Sequence, residues 1–238
     1  MKRILTVLTT IFLLSGLALA DERSADLDRV QSAATVLDEI MAAPDKGLPE
    51  NILGSAKCVA VVPSMLKAAF VFGANRGKGI ASCRTANGWS APAFFVIEGG
   101  SFGFQIGGQA IDLVMLVMND NGMRHLLTSK FKLGADASVA AGPVGRQAEG
   151  MTDVTMRAEV LTYSRARGIF AGVSLNGASI RQHKNDTRAF YGRMVPFRTL
   201  LAGNLNPPPK DAAPWLTALS KYAPIASAST AMPVPPKQ

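Results

Sequence analysis

Apolar residues recur at alternating steps of three and four between residues 24 and 43, with mostly polar positions between them. The stripe consists of Leu27, Val30, Ala34, Leu37 and Met41. This spacing places all five on one side of an α-helix, so it predicts an amphipathic helix. Pro44 ends the pattern, since proline cannot continue a helix. We therefore assign residues 21–47 to an N-terminal amphipathic helix.

From residue 58 onward the period changes, and short apolar or alternating runs are separated by turn-forming residues. The runs lie at 59–62, 69–74, 79–85, 89–97, 102–110, 111–118, 154–160, 169–175 and 178–181. Turns are expected at 75–78, 87–88 and 176–177, where Asn and Gly favour tight reversals. Residues 119–121 predict the cap of a short helix reaching residue 127.

Successive strands with short connections predict one sheet in which neighbouring strands are antiparallel. We expect the sheet to be curved or barrel-like, with the N-terminal helix and a few short helices packed on it. The predicted fold class is thus α+β, with a β-rich domain over residues 48–203.

The two ends of the chain have different compositions from this domain. Residues 1–20 combine a basic start, an apolar run and small residues at Ala18 and Ala20, which predicts a signal peptide cleaved after Ala20. An uncleaved anchor is the alternative, but the apolar run is short for a membrane span. We therefore expect an exported protein that is periplasmic, envelope-associated or secreted. Residues 204–238 are rich in Pro and Ala, which predicts a mostly mobile tail in which residues 215–222 dock.

Charge is unevenly distributed. The chain has 25 basic and 17 acidic residues, a formal net charge of +8. Residues 21–55 carry −5 and residues 56–238 carry +11. A basic body favours an anionic partner, and export makes a phospholipid or membrane surface a better candidate than nucleic acid. No RNA-binding signature or zinc-finger spacing is present, so nucleic acid is not expected.

The densest basic segment runs from residue 165 to residue 198, with aromatic residues interleaved and Asp186 as its one acid. We predict a lipid-binding surface there, formed by Arg165, Arg167, Arg181, Lys184, Arg188 and Arg193. The alternative is a solvated charged edge with no ligand. Aromatic and basic residues together are typical of proteins at anionic membrane interfaces.

A glycine-rich segment, GGSFGFQIGG at 99–108, contains the G-x-S-x-G pattern of serine hydrolases around Ser101. That chemistry needs a strand–turn–helix elbow, whereas this segment alternates like a strand, so a hydrolase is the least favoured hypothesis. Glycine at alternate positions allows close approach either of another backbone or of a ligand. The ligand-facing candidates are Gly100, Gly103, Gln105 and Gly107.

No cofactor or metal is expected. His125 and His183 are far apart in sequence, and no acidic calcium loop occurs. The two cysteines, Cys58 and Cys83, lie in apolar segments. Outside the cytoplasm they either form a disulfide or remain two separate buried thiols.

Several segments together resemble the SYLF family. They are SAKCVAVVP at 55–63, MLKAAF at 65–70, WSAPA at 89–93, GGSFGFQIGG at 99–108, AAGPVGR at 140–146, YS at 163–164, GIFAGVSLNG at 168–177 and FYG at 190–192. The resemblance implies binding of phosphorylated anionic lipids, such as phosphoinositides, and no catalysis. Yeast members also bind actin, so actin is a possible partner by resemblance only.

These observations give a principal functional prediction and two alternatives. We predict a non-catalytic lipid-binding protein of the bacterial envelope that recognises anionic headgroups through its basic surface. The first alternative is an exported protein-interaction module, conceivably an actin-binding one in a host. The less favoured alternative is a serine hydrolase.

Overall fold

The computed structural model describes residues 2–43, 47–69, 72–102, 107–144, 157–166, 169–173 and 175–224. Side chains are described for the same residues except 2–20, 68–69, 72–73, 101–102, 107–108 and 169–170.

Six α-helices and ten strands are described. The helices are α1 Lys2–Met41, α2 Glu50–Ser55, α3 Asp120–Leu126, α4 Lys184–Tyr191, α5 Phe197–Leu201 and α6 Ala213–Tyr222. A 3-10 turn, Lys210–Ala212, precedes α6. The strands are β1 Cys58–Ala69, β2 Phe72–Thr85, β3 Gly88–Trp89, β4 Ala93–Phe102, β5 Gly107–Val117, β6 Lys130–Lys132, β7 Val139–Ala141, β8 Val160–Ala166, β9 Ile169–Gly172 and β10 Ser179–Gln182.

One curled sheet organises the chain into a half-barrel. Its strand order is β6-β10-β4-β2-β1-β5-β8-β7, with β3 paired to β2 and β9 to β8. The described pairs are antiparallel except β7 with β8, which is parallel. The fold class is therefore α+β, as predicted, with a mixed rather than purely antiparallel sheet.

Apolar side chains fill two cores, one on each face of the sheet. On one face, α1, α4 and α6 cover the strands, and the core there includes Val30, Leu37, Phe94 and Trp215. The other face is covered from α5 and the loops, with Phe95 among the buried residues. Alternate residues of a central strand therefore enter different cores. This explains why the sequences of the central strands are apolar at consecutive positions.

The predicted amphipathic helix is present and ends at Met41, and the stripe residues Val30 and Leu37 are fully buried. It packs into the main core, so the described part of this segment, residues 21–43, belongs to the same folded unit as the sheet. The predicted helix cap is also confirmed, since the side chain of Asn119 accepts a hydrogen bond from the backbone N–H of Gly122. Among the described side chains, no helix combines the length and apolar character needed to cross a membrane.

The predicted turn at 75–78 is wrong. These residues lie inside β2, which pairs with β1 on one side and β4 on the other. A Cβ on Gly77 would lie 2.4 Å from Val62 Cγ1, and one on Gly79 would lie 2.5 Å from the Val61 carbonyl. The glycines therefore serve close packing against β1, and hydrogen bonding to two neighbouring strands overrides the local turn preference.

Two further strand predictions need correction. Residues 176–177 do form a turn, but the flanking strands are not a hairpin, since β9 pairs with β8 and β10 pairs with β4 and β6. The strand predicted at 154–160 begins only at Val160, and residues 157–159 are not extended; residues 154–156 lie outside the described ones. Partner choice among strands depends on long-range packing that local pattern does not contain.

The boundary predicted at residue 203 falls too early. Within the tail, α6 packs on α1, and Trp215 is fully buried with its indole Nε1 donating to Ser82 Oγ at 3.0 Å. A 10-residue helix with one apolar side can join a core even when Pro-rich sequence surrounds it. Residues 225–238 lie outside the described ones.

Arg84 fixes the end of the described chain. Its guanidinium donates to the carbonyls of Gly54, Ala56 and Pro224 at 3.0, 2.8 and 2.9 Å, and it stacks on Trp89 at 4.7 Å from the ring centroid. One side chain thus joins α2, the β2–β3 hairpin and the residues after α6.

Candidate functional site

The central strands extend beyond the part of the sheet that the helices cover. Four backbone stretches, which we together call the sheet end, form this extension: 66–69 of β1, 72–76 of β2, 98–102 of β4 and 107–110 of β5. The exposed residues described there are Leu66, Ala74, Arg76, Gly100, Gln109 and Ala110.

A bulge in β1 marks where the sheet end begins. The β1 register shifts between Val62 and Met65, and Ser64 adopts a positive φ of 51°. The backbone N–H of Ser64 donates to Asp112 Oδ1 at 2.9 Å. Asp112 also accepts hydrogen bonds from the guanidinium of Arg165, which in turn contacts Glu39 of α1. This chain of contacts fastens α1 to the sheet just before the sheet end.

Leu66 is 65% exposed and is the one large hydrophobic side chain classed as exposed among the described residues. The strand register places it beside Arg76 of β2 and Ala110 of β5, and Ala74 of β2 lies beside Gly100 of β4. Arg76 is 67% exposed and lies 3.2 Å from Glu98. The sheet end thus offers a leucine and small residues with an exposed guanidinium beside them.

The predicted glycine-rich ligand positions fall at or beside this region. Gly100 lies in β4, and Gly107 begins β5 opposite Ala69 of β1. Gly103 and Gln105 lie outside the described residues.

In the part of the glycine-rich segment that the structure describes, Ser101 has a strand conformation and no strand–turn–helix elbow is formed. That residue lies in β4, paired with Gly73 of β2, and the described strand runs to Phe102. The two histidines that could serve as the catalytic base lie in different elements. His125 is on α3, whereas His183 immediately precedes α4 and contacts Asp186. Among the described residues, no cluster of three His, Cys, Asp or Glu side chains is arranged to hold a metal ion.

The predicted basic residues separate into three groups. Arg165 on β8 pairs with Asp112, and Arg181 on β10 lies 3.2 Å from Glu98, with four strands between β8 and β10. Lys184 and Arg188 lie one turn apart on α4, and Arg193 follows that helix; these three are exposed and form no ion pair with another described residue. Arg167 lies outside the described residues.

Cys58 and Cys83 are opposite each other in the β1–β2 register and form a disulfide. Both are fully buried, in the core that also contains Phe95. The bond therefore joins the two central strands at the end of the sheet farthest from Leu66.

A second charged site, which sequence reasoning missed, lies between α1, β2 and α4. We call it the buried ionic cluster, formed by Asp26, Arg29, Lys78, His183 and Asp186. Asp26 and Asp186 are 0% and 1% exposed. Lys78 Nζ and His183 Nδ1 each lie 2.9 Å from Asp186 Oδ1, and Arg29 Nη1 lies 3.0 Å from Asp186 Oδ2.

Burial raises the pKa of Asp26 to about 6, with the charge of Asp186 adding to the effect and Arg29 opposing it. For Asp186 burial also acts upward, but hydrogen bonds from His183 and Lys78 outweigh it and the pKa is lowered. The one sequence signal was Asp186 itself, an isolated acid in a basic segment. Its partners Arg29 and Lys78 are more than 100 residues away along the chain, so their approach was not predictable.

The comparison with known proteins decides the family. The family described as "Ysc84: Las17-binding protein actin regulator" matches residues 98–222, which is more than half of the chain. This chain belongs to the SYLF family. The match includes β4 of the sheet end, all of β5, the basic segment and α6.

Three relatives of this SYLF protein illustrate the similarity. The SH3 domain-containing YSC84-like protein 1 of Xenopus laevis is 38% identical over 152 residues, 63% of this chain and 45% of the relative. The Homo sapiens protein of the same name is 37% identical over 163 residues, 68% of this chain and 47% of the relative. The LAS seventeen-binding protein 3 of Saccharomyces cerevisiae (strain ATCC 204508 / S288c) is 34% identical over 171 residues, 69% of this chain and 37% of the relative.

The SYLF chain thus spans less than half the length of these relatives. The yeast relative is named for binding LAS seventeen, and the description of the family names a Las17-binding actin regulator. That background supports a protein-interaction module, the first of the two alternatives drawn from the sequence.

Proposed function

We propose that this SYLF domain is a non-catalytic interaction module that binds a partner protein through the sheet end. The observation that carries the proposal is Leu66, a leucine held 65% exposed on a regular strand. A single exposed leucine is common on protein surfaces, but Leu66 lies beside the exposed Arg76 and the small Ala110, so a partner that covers this patch buries an apolar side chain and an arginine together.

The chemistry of the sheet end indicates the kind of partner surface. Ala74, Gly100 and Ala110 are small, so a partner backbone can approach closely around Leu66. Arg76 adds an exposed guanidinium. Arginine is enriched in interfaces, and its guanidinium can pair with a carboxylate through two parallel hydrogen bonds. A partner segment that offers an apolar side chain beside an acidic one fits this surface.

The family description makes the actin system the first place to look for that partner. The yeast relative is named for binding Las17, and the family as a Las17-binding actin regulator. We extend this to the present chain as a proposal, with actin and Las17 as the first two proteins to test.

The experiment compares three variants of the purified protein in binding to immobilised Las17 and in co-sedimentation with actin filaments. Leu66→Ser and Arg76→Glu should each weaken binding at least tenfold, because a truncated anchor or a reversed charge at an interface centre costs 2 kcal/mol or more, roughly. Arg193→Glu is the matched control, since it makes the same charge change on an exposed residue outside the sheet end. Equal binding by all three variants, or no binding by the parent, contradicts the proposal.

Anionic lipid is a second candidate ligand, because Lys184, Arg188 and Arg193 are exposed cations that no described acid neutralises. Each cation near an anionic membrane contributes about 1 kcal/mol, so a Glu substitution at all three should release the protein from phosphatidylglycerol liposomes. Binding should fall with added salt and be absent from phosphatidylcholine liposomes. Binding that is equal on both liposomes contradicts the electrostatic mechanism.

The exported location belongs to the same proposal. We expect residues 1–20 to be removed in a bacterial host, which places the domain in the envelope or outside the cell. N-terminal sequencing of the protein recovered from the periplasm or medium should begin at Asp21. A retained Met1 contradicts it.

A further inference from the structure

We propose that the buried ionic cluster is a proton-operated latch, which holds α1 against α4 and β2 most tightly when Asp26 carries a proton. This inference does not depend on the proposed function, since the cluster and the sheet end share no residue. It rests on the geometry of two buried carboxylates that share a single cationic nitrogen.

The shared nitrogen is Nη1 of Arg29. It donates to Oδ1 of Asp26, three residues earlier on α1, and to Oδ2 of Asp186 on α4 at 3.0 Å. Both carboxylates are therefore within hydrogen-bond reach of one atom and are removed from water. Two ionised carboxylates so close together repel each other strongly in a low-dielectric interior.

The two carboxylates are not equally supplied with donors. Asp186 receives Arg29, Lys78 and His183, which stabilise its ionised form. Asp26 receives Arg29 alone, and its Oδ2 is buried without a partner among the described residues. A buried charge with one donor is costly, so Asp26 is the group that gains most from taking up a proton.

The other charged contacts of α1 lie one turn before Asp26, at Arg23, or farther along the helix, at Asp38 and at Glu39, which contacts Arg165. Arg23 pairs with Asp211 of the 3-10 turn, and Asp38 with Lys221 of α6, and both pairs are largely exposed. Neither pair contributes to the raised pKa of Asp26, whose causes are burial and the charges of Asp186, Arg29 and Lys78. The latch is thus confined to the five residues of the buried ionic cluster.

The direction of the pH effect follows from this raised pKa of Asp26. In the unfolded chain an aspartate ionises near pH 3.9, whereas in the folded protein Asp26 ionises near pH 6. The contribution of the proton to stability is therefore complete below about pH 3.9 and is lost as the pH rises through about 6. As the pH rises from 5 to 7.5, the buried ionic cluster therefore holds α1 less tightly against α4 and β2.

The test uses the full chain and three readouts. Carbon-13 NMR of the Asp26 carboxyl should show a titration midpoint near pH 6, and a midpoint near pH 4 overturns the proposal. Urea unfolding should show that the unfolding equilibrium constant of the parent rises about tenfold more between pH 5 and 7.5 than that of Asp26→Asn. Hydrogen exchange, corrected for intrinsic pH dependence, should place the lost protection in α1.

Asp211→Asn is the matched control, because it removes an exposed carboxylate that also pairs with α1. It should retain the pH dependence of the parent. An identical pH dependence in the parent and Asp26→Asn overturns the latch, as does a loss of exchange protection spread evenly over the sheet.

Discussion

The strands β1, β2, β4 and β5 pass through two different environments. In the helix-covered region their alternate residues enter two cores, and Trp215, Phe94 and Phe95 are buried there. In the sheet end the same hydrogen-bonded ladders continue, but Leu66 and Arg76 are exposed to solvent. Backbone pairing is thus continuous while side-chain packing is not. The difference suggests that one region carries the stability and the other is available for binding.

The largest effect that would test this division is expected from Trp215→Ala. Removing a fully buried indole should lower the free energy of unfolding by about 3–5 kcal/mol, and it also leaves the hydroxyl of Ser82 without its donor. Urea denaturation followed by circular dichroism measures this. Thr217→Ala, an exposed position of the same helix, is the control and should change stability by less than about 0.5 kcal/mol. Equal effects of the two substitutions would place α6 outside the core.

Loss of the disulfide should rank second. It closes a loop of 25 residues, and in the loop-entropy model that constraint contributes about 3.5 kcal/mol. Unfolding of the Cys58→Ala, Cys83→Ala double variant, compared with the oxidised parent, measures the contribution. Peptide mapping without reductant is the control for the pairing itself. Two alkylatable thiols in the unreduced parent would show that the disulfide does not form.

A smaller loss is expected from Gly79→Ala in the middle of β2. The new Cβ would lie 2.5 Å from the Val61 carbonyl and 2.7 Å from the Phe95 ring, and overpacking of this kind costs about 1–3 kcal/mol. Gly54→Ala in α2 is the counterpart, since nothing lies within 4 Å of its added Cβ. Thermal unfolding should separate the two glycines, with Gly54→Ala neutral or slightly stabilising.

The smallest effect on stability should come from Leu66→Ser. An exposed leucine contributes little to folding, so the free energy of unfolding should change by less than about 0.5 kcal/mol. The same substitution is expected to weaken partner binding at least tenfold. A loss of several kcal/mol in stability would show that Leu66 belongs to the folded core, and the contrast between the two regions would then fail.

Sequence patterns predicted the features that depend on local spacing. The stripe containing Val30 and Leu37 predicted α1, and Asn119 predicted the start of α3. The turn predicted at 75–78 failed because pairing with two strands outweighs local preference. Partner strands and the buried ionic cluster were not predictable, because Asp26, Lys78 and Asp186 come together only after the sheet and helices have packed.

The site predictions show the same limit. A basic segment in sequence is distributed over strands and a helix, so Arg165 and Arg181 face acids while Lys184 and Arg188 do not. The exposure of Leu66 follows from the length of β1 beyond its bulge. No periodicity in its neighbourhood distinguishes it from a buried strand residue.

The bond from Arg84 to the carbonyl of Pro224 has a practical consequence for orientation. Arg84 and Arg76 are eight residues apart on β2, roughly 26 Å along a strand. A tether joined directly to Pro224 therefore starts near the end of β2 that is opposite Arg76 and Leu66. A protein captured on a sensor surface through such a tether presents the sheet end to the solution, whereas capture through lysine chemistry gives mixed orientations.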